Sequence, residues 1–327
     1  MRVVGAGRYR FEEIERWGEF PASWTVGDVP GVAVDSEDRL FVFSRGDHPV
    51  IVLDRDGRVL TTWGEGLFRR PHGICIGPDD AVYCVDDAGH AVHKFTPDGQ
   101  LVRTVETANS PADTGYKTAG DTVQRAGPPF NYPTGLALSA HGGMYVSDGY
   151  GNARVHVFDD QGRLLRSWGE PGSGPGQFII SHGVFVDPEG LVYVCDRSNE
   201  RIQIFTAQGT YRREWSELRF PNNMCQDAAG TVFVAELGAT MQGSGRQKRG
   251  EPSAPAGRIT VRDLEGTLQA EWGAADPQGA GLYYAPHGIA VDARGDVYVG
   301  GVSHANSGGL APAGQPTLQK YVRVTPV

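Results

Sequence analysis

The sequence predicts an all-β fold: one six-bladed β-propeller domain spanning residues 1–327, with four-stranded blades and an N-terminal strand closing the last. Three observations lead there. A paired-strand unit recurs six times, most copies end in a strand closed by tryptophan, and the N-terminal segment looks like the strand the last copy lacks.

The opening strand of the unit appears at Gly31 (GVAVD), Gly73 (GICIG), Gly135 (GLALS), Gly183 (GVFVD), Asn223 (NMCQD) and Gly288 (GIAVD). A turn leads to a second strand: LFVFS, AVYCV, GMYVS, LVYVC, TVFVA and DVYVG. Alternation with β-branched and aromatic residues marks these as strands. Third strands such as RVHVF and RIQIF follow, then Asp/Gly-rich turns, then fourth strands ending at Trp63, Trp168, Trp215 and Trp272. The last copy stops after LQKYVRV, while FEEIERWG, ending at Trp17, has the form of a fourth strand with no copy of its own. Pairing the two would join the termini in one sheet and protect its edge.

Composition agrees with short strands and tight turns: Gly and Pro together make up about a fifth of the chain. The net charge of −9 and a lone basic cluster, Arg246 to Arg249 in a Gly/Ser/Pro-rich loop, exclude a phosphate-tracking surface, so no nucleic-acid partner is expected. No apolar leader or run of membrane-spanning length is present, which gives the expectation of a cytoplasmic protein with no membrane partner. Cys75, Cys84, Cys195 and Cys225 lie in or beside apolar strands without metal-type spacing and read as buried free thiols. Three insertions, Glu106 to Tyr132, Gly238 to Gly257 and Ser303 to Pro316, are long enough to serve a site or to be surface loops.

Aligning the copies puts Pro30, His72, Thr134, His182, Asn222 and His287 at one position, just before the first strand. Blades two, four and six carry histidine. A single histidine at such a turn is ordinarily a hydrogen-bonding residue. Few placements of three histidines over six positions alternate, however, and the chain holds only nine histidines. First strands line the axis of a propeller, so alternate blades would bring three imidazoles together. Three neutral nitrogens suit Zn²⁺ with an open fourth position, the catalytic pattern, although Fe, Co or Ni would accept the same donors.

The ends of the second strands read Arg45, Asp87, Gly149, Arg197, Leu237 and Val302. Antiparallel pairing places Arg45 and Arg197 at the histidine rim, where they could bind a carboxylate on a small-molecule substrate. Tyr150 follows the second strand of blade three, with Gly149 and Gly151 allowing a sharp turn that exposes its ring. Asp86, Asp148 and Asp196 recur at strand ends and read as turn caps; His48, His90, His93, His141, His156 and His304 follow no repeat and read as structural.

The ordered segments S-R-G-D-H at Arg45, R-P-H-G at His72, V-S-D-G-Y at Tyr150, P-G-Q-F-I-I-S-H at His182, D-R-S-N-E-R-I-Q at Arg197 and A-P-H-G at His287 resemble the peptidyl-α-hydroxyglycine α-amidating lyases, within the NHL-repeat propellers, over most of the chain. The resemblance implies zinc on His72, His182 and His287, Tyr150 as base, Arg45 and Arg197 holding substrate, and C–N cleavage of a carbinolamide to a carbonyl compound and an amide. Gly288 stands where the animal enzymes place an acidic calcium ligand, so calcium is not expected, and Gly151 stands where they place a cysteine. Two other readings stay open from sequence: a hydrolase or hydratase in which the metal activates water, and a non-enzymatic NHL scaffold.

Overall fold

The structure, a computed structural model, describes residues 2–106, 110–118, 121–140, 142–238, 257–273, 285–307 and 316–324. His141, read as structural, the basic cluster and most of the second and third insertions lie outside the described residues. The strands form six sheets of four or five strands, the six blades that the repeats predict, with one small parallel pair, Glu170–Pro171 with Gln177–Phe178, added between blades three and four. Every pairing described within a blade is antiparallel. Among the described residues, helix is confined to Ser303–Ser307 and a 3₁₀ turn at Arg197–Asn199.

The blades group into two compact units, one holding blades one, five and six and the other blades two, three and four. In the first, the sixth blade is completed from the N-terminus as expected: Tyr9–Ile14 pairs with Leu318–Arg323. The blade then gains a fifth strand that the repeats do not predict, Arg2–Ala6, paired with Tyr9–Ile14. Trp17 lies beyond the strand end but is buried against Tyr298, ring centroids 5.2 Å apart. Phe11, fully buried, holds the closing strand to blade five through Trp272 at 5.0 Å and Phe233 at 6.0 Å. Burying each such side chain stabilises by about 1.5–3 kcal/mol, so closure is a packing event as well as a hydrogen-bonded one.

In the second unit the first strands of the blades, Pro71–Ile76, Pro133–Leu138 and Ser181–Val186, lie side by side with blade three in the middle. Between blades three and four the core is aromatic and β-branched: Val155, Val157, Phe178, Val184, Val194 and Phe205 are all buried there. The recurrent aspartates tie down the segment that enters each first strand. Asp86 accepts the backbone N–H groups of Arg69 and Arg70 at 2.7 and 2.8 Å, Asp148 that of Asn131 at 2.8 Å, and Asp196 that of Ile179 at 3.1 Å. They are caps, as expected, and what they cap is the approach to the histidine position. Burial pushes the Asp196 carboxyl up, and Asn199 and Arg201 pull it back. All four cysteines are free thiols; burial pushes Cys75 up to about 11.

Candidate functional site

Close approach between neighbouring first strands sets the histidine geometry. A Cβ at Gly73 would stand 3.0 Å from the Thr134 carbonyl oxygen, tighter than ordinary contact. That same oxygen faces His72 Nδ1 at 2.5 Å. A carbonyl only accepts, so Nδ1 carries the proton and Nε2 presents its lone pair. Backbone anchoring of the second ring nitrogen is the usual way a protein fixes a metal-binding imidazole.

In the other unit His287 repeats the device. Its Nδ1 meets the Pro30 carbonyl at 2.7 Å, and a Cβ at Gly288 would fall 2.8 Å from Gly31 Cα and 2.9 Å from Pro30 O. Thr134 and Pro30 are the residues aligned with the histidines in the following blades. The H-G dipeptide thus has a physical reason: glycine admits the next blade, whose carbonyl sets the tautomer. No larger residue fits at Gly288 without moving backbone.

Tyr150, on the middle blade of its unit, points at both flanking histidines. Its hydroxyl lies 3.0 Å from His72 Nε2 and 3.1 Å from His182 Nε2. The ligand nitrogens of His72 and His182 are within 4.8 Å of each other, and both rings are buried, at 0 % and 2 % exposure. One phenolic proton can serve only one of two nitrogens at a time, whereas a cation between them would serve both. The donor set therefore fits a divalent metal.

The chain bends at Tyr150 and Gly151, as expected, and the flanking glycines serve that bend by leaving room. Neither takes a positive φ. They are required because a Cβ at Gly149 would meet Ser181 O at 2.2 Å and one at Gly151 would meet Asn131 Oδ1 at 2.5 Å. The loop is pinned between blades, and the ring is partly covered.

Arg197 opens its 3₁₀ turn with its N–H donated to Ile180 O at 2.9 Å, and its Cζ stands 5.3 Å from the Tyr150 ring centroid. His72, Tyr150, His182 and Arg197 are thus brought together in one unit. Arg45 sits in the other, after the second strand of blade one, with its N–H donated to Asp28 O at 2.9 Å and Nη1 3.9 Å from Asp28 Oδ2.

Two residues to which the sequence pattern assigned no role join the site. Asp87, fully buried, has Oδ2 4.0 Å from His72 Nε2 and accepts from Arg70 Nε at 2.6 Å. The Arg70 guanidinium lies 5.7 Å from the Tyr150 ring and 5.8 Å from that of Tyr132. Burial acts to lower the pKa of Arg70, but Asp87 more than offsets it, and the group is held above its ordinary value. Asp87 was visible in the strand-end column beside Arg45 and Arg197, where a carboxylate among arginines was the available signal.

The first insertion also reaches the site. Tyr132, at its end, packs edge-on against Tyr116 at 5.9 Å and His90 at 4.5 Å. The Tyr132 N–H donates to His90 Nδ1 at 3.0 Å. His90 therefore has a structural part, as expected. Burial holds its pKa below the ordinary histidine value, with Arg69 acting in the same direction and Asp148 and Asp86 against it. A lowered histidine pKa contributes stability that is full above the unfolded-state value and lost as pH falls through the folded one. Acidification below the ordinary histidine range should thus free the Tyr132 amide, seen as faster hydrogen exchange there; exchange unchanged by pH beyond its intrinsic dependence would contradict the link.

Residues 136–231 match the DUF5128 family, described as a 6-bladed beta-propeller. The peptidyl-glycine alpha-amidating monooxygenase of Mus musculus is 30 % identical over 255 residues, covering 67 % of this chain and 24 % of that protein. A probable peptidyl-alpha-hydroxyglycine alpha-amidating lyase of Caenorhabditis elegans is 27 % identical, covering 60 % of each. NHL repeat-containing protein 3 of Homo sapiens is 33 % identical, covering 58 % of this chain and 54 % of that one. The chain spans between 24 % and 33 % of the length of the vertebrate monooxygenases it matches.

Proposed function

This chain is a six-bladed β-propeller whose homologues are amidating lyases and NHL-repeat proteins, and on that premise we propose that it is a metal-dependent lyase cleaving the C–N bond of an α-hydroxy-amide. The observation that carries this reading is the Tyr150 hydroxyl, 3.0 and 3.1 Å from the Nε2 atoms of two alternate-blade histidines. A group able to move a proton stands where ligand nitrogens converge.

His72 and His182 would hold the metal together with His287, whose ring is anchored by the same backbone device. Zn²⁺ is the first choice for three neutral imidazoles, with Fe, Co or Ni as substitutes. When bound, the metal supplies Lewis acidity that makes a carbinol proton easier to remove. As the base, Tyr150 would take the proton of the carbinol. As the C–O bond becomes C=O the C–N bond breaks, its electron pair leaves with the amide nitrogen, and Tyr150 returns the proton there. One proton moves from oxygen to nitrogen, and no water or oxidant is consumed. Arg197, beside the Tyr150 ring, and Arg45 would hold a substrate carboxylate.

The test is incubation of zinc-loaded protein with an N-acyl-α-hydroxyglycine. The reading requires glyoxylate and the intact amide in equal amounts. Release of the free carboxylic acid instead would mean that water attacks the acyl carbonyl, making the chain a hydrolase. Absence of both turnover and bound metal would leave a scaffold.

A further inference from the structure

We propose that Arg70 is a catalytic residue that stabilises the departing amide, an inference that rests on the lyase reading above. The side chain is built into place. Its backbone N–H donates to Asp86 at 2.8 Å, its carbonyl accepts from the Asp87 N–H at 3.3 Å, and Nε is bound to Asp87 Oδ1 at 2.6 Å. The same Asp87 carboxylate lies 4.0 Å from His72 Nε2, which puts the guanidinium one carboxylate away from the nitrogen assigned to the metal. On its other side the guanidinium faces Tyr150, with Cζ 5.7 Å from the ring.

Two features separate Arg70 from a merely structural ion pair. Its side chain is 44 % exposed, and among the described residues neither Nη atom has a hydrogen-bond partner, so both can face a ligand. Asp87 already neutralises its charge. The pair is then a weak trap for a resident anion, but it donates hydrogen bonds that strengthen wherever negative charge develops. In the proposed reaction that place is the amide: as C–N breaks, the electron pair spreads from nitrogen onto the acyl carbonyl oxygen. Hydrogen bonds from Nη to that oxygen would be strongest at the moment of departure, before Tyr150 returns the proton.

Beyond Arg70 the wall is aromatic, with the guanidinium 5.8 Å from the Tyr132 ring and Tyr116 behind it at 5.9 Å. This favours a flat apolar acyl group and makes the substrate class an N-aroyl or similarly hydrophobic N-acyl carbinolamide.

The experiment compares the zinc-loaded full chain with Arg70→Gln and Arg70→Lys on N-benzoyl-α-hydroxyglycines carrying ring substituents from 4-methoxy to 4-nitro. Loss of such a donor costs about a hundredfold or more where charge stabilisation is most needed. The expected pattern is a drop of that order in kcat for the methoxy compound and a clearly smaller one for the nitro compound, whose amide leaves readily by itself. Arg70→Lys keeps a charge beside Asp87, so it stays informative where the glutamine variant unfolds.

Equal losses across the series would mean a structural role only and would overturn the proposal while leaving the lyase reading intact. Calorimetric titration with benzamide gives a second readout: affinity should fall about tenfold in the variants, and unchanged affinity would also overturn it. If the unsubstituted chain turned over none of the series, the lyase reading would fail and the role of Arg70 with it.

Discussion

His182→Ala should lose stoichiometric zinc and at least about a thousandfold in turnover of an α-hydroxy-amide, with His72→Ala and His287→Ala behaving alike. A bound Lewis acid is worth several kcal/mol of transition-state stabilisation, and each 1.36 kcal/mol is about tenfold in rate. Two remaining imidazoles would leave the ion weakly held. The alternative is that alanine merely damages the fold, since His72 and His182 are buried and His72 is hydrogen-bonded across to blade three. Atomic absorption on protein whose melting temperature is within a few degrees of the unsubstituted chain separates the two. Stoichiometric metal in a folded, inactive variant would remove that histidine from the ligand set.

Tyr150→Phe should keep its metal and lose about a hundredfold to ten-thousandfold in turnover, the range for a positioned proton-transfer group. The substitution removes one oxygen and leaves the ring that faces Arg197 and Arg70. Substrate affinity should change far less than kcat, because the hydroxyl acts on the proton in flight and the arginines do the holding. Single-turnover kinetics with metal quantified in the same sample checks both halves. Turnover within a few-fold of the original would exclude Tyr150 as the base.

Much of this was legible in the amino-acid order because repeats convert sequence position into spatial position. Aligning His72, His182 and His287 with Thr134 and Pro30 picked out the residues whose carbonyls turn out to anchor two of the rings. The reason for the glycine after each histidine was not legible, since the distance between neighbouring blades is a property of packing. Gly149 and Gly151 read as allowing a turn, and the chain bends there; that contact with neighbouring segments also excludes a side chain at both, with neither at positive φ, is a property of packing.

Features without a second copy were harder. Arg2–Ala6 had nothing to align with, so the fifth strand of blade six went unforeseen. Arg70, second of two adjacent arginines before Pro71, has the appearance of a surface residue. Only its tether to the buried Asp87 distinguishes it, and that pair joins the entry to one strand with the exit from another. Tyr116 and Tyr132 lie in an insertion, where no periodicity gives direction to a side chain.

The proposed metal centre is one ion held by three imidazoles, those of His72, His182 and His287. X-ray absorption at the zinc edge on purified, zinc-loaded chain tests it most directly, alongside the metal-to-protein ratio. The expected result is one zinc per chain, three imidazole nitrogens at about 2.0–2.1 Å and an oxygen in the remaining position. Sulfur in the coordination shell, fewer than three imidazoles, or no stoichiometric metal would contradict it.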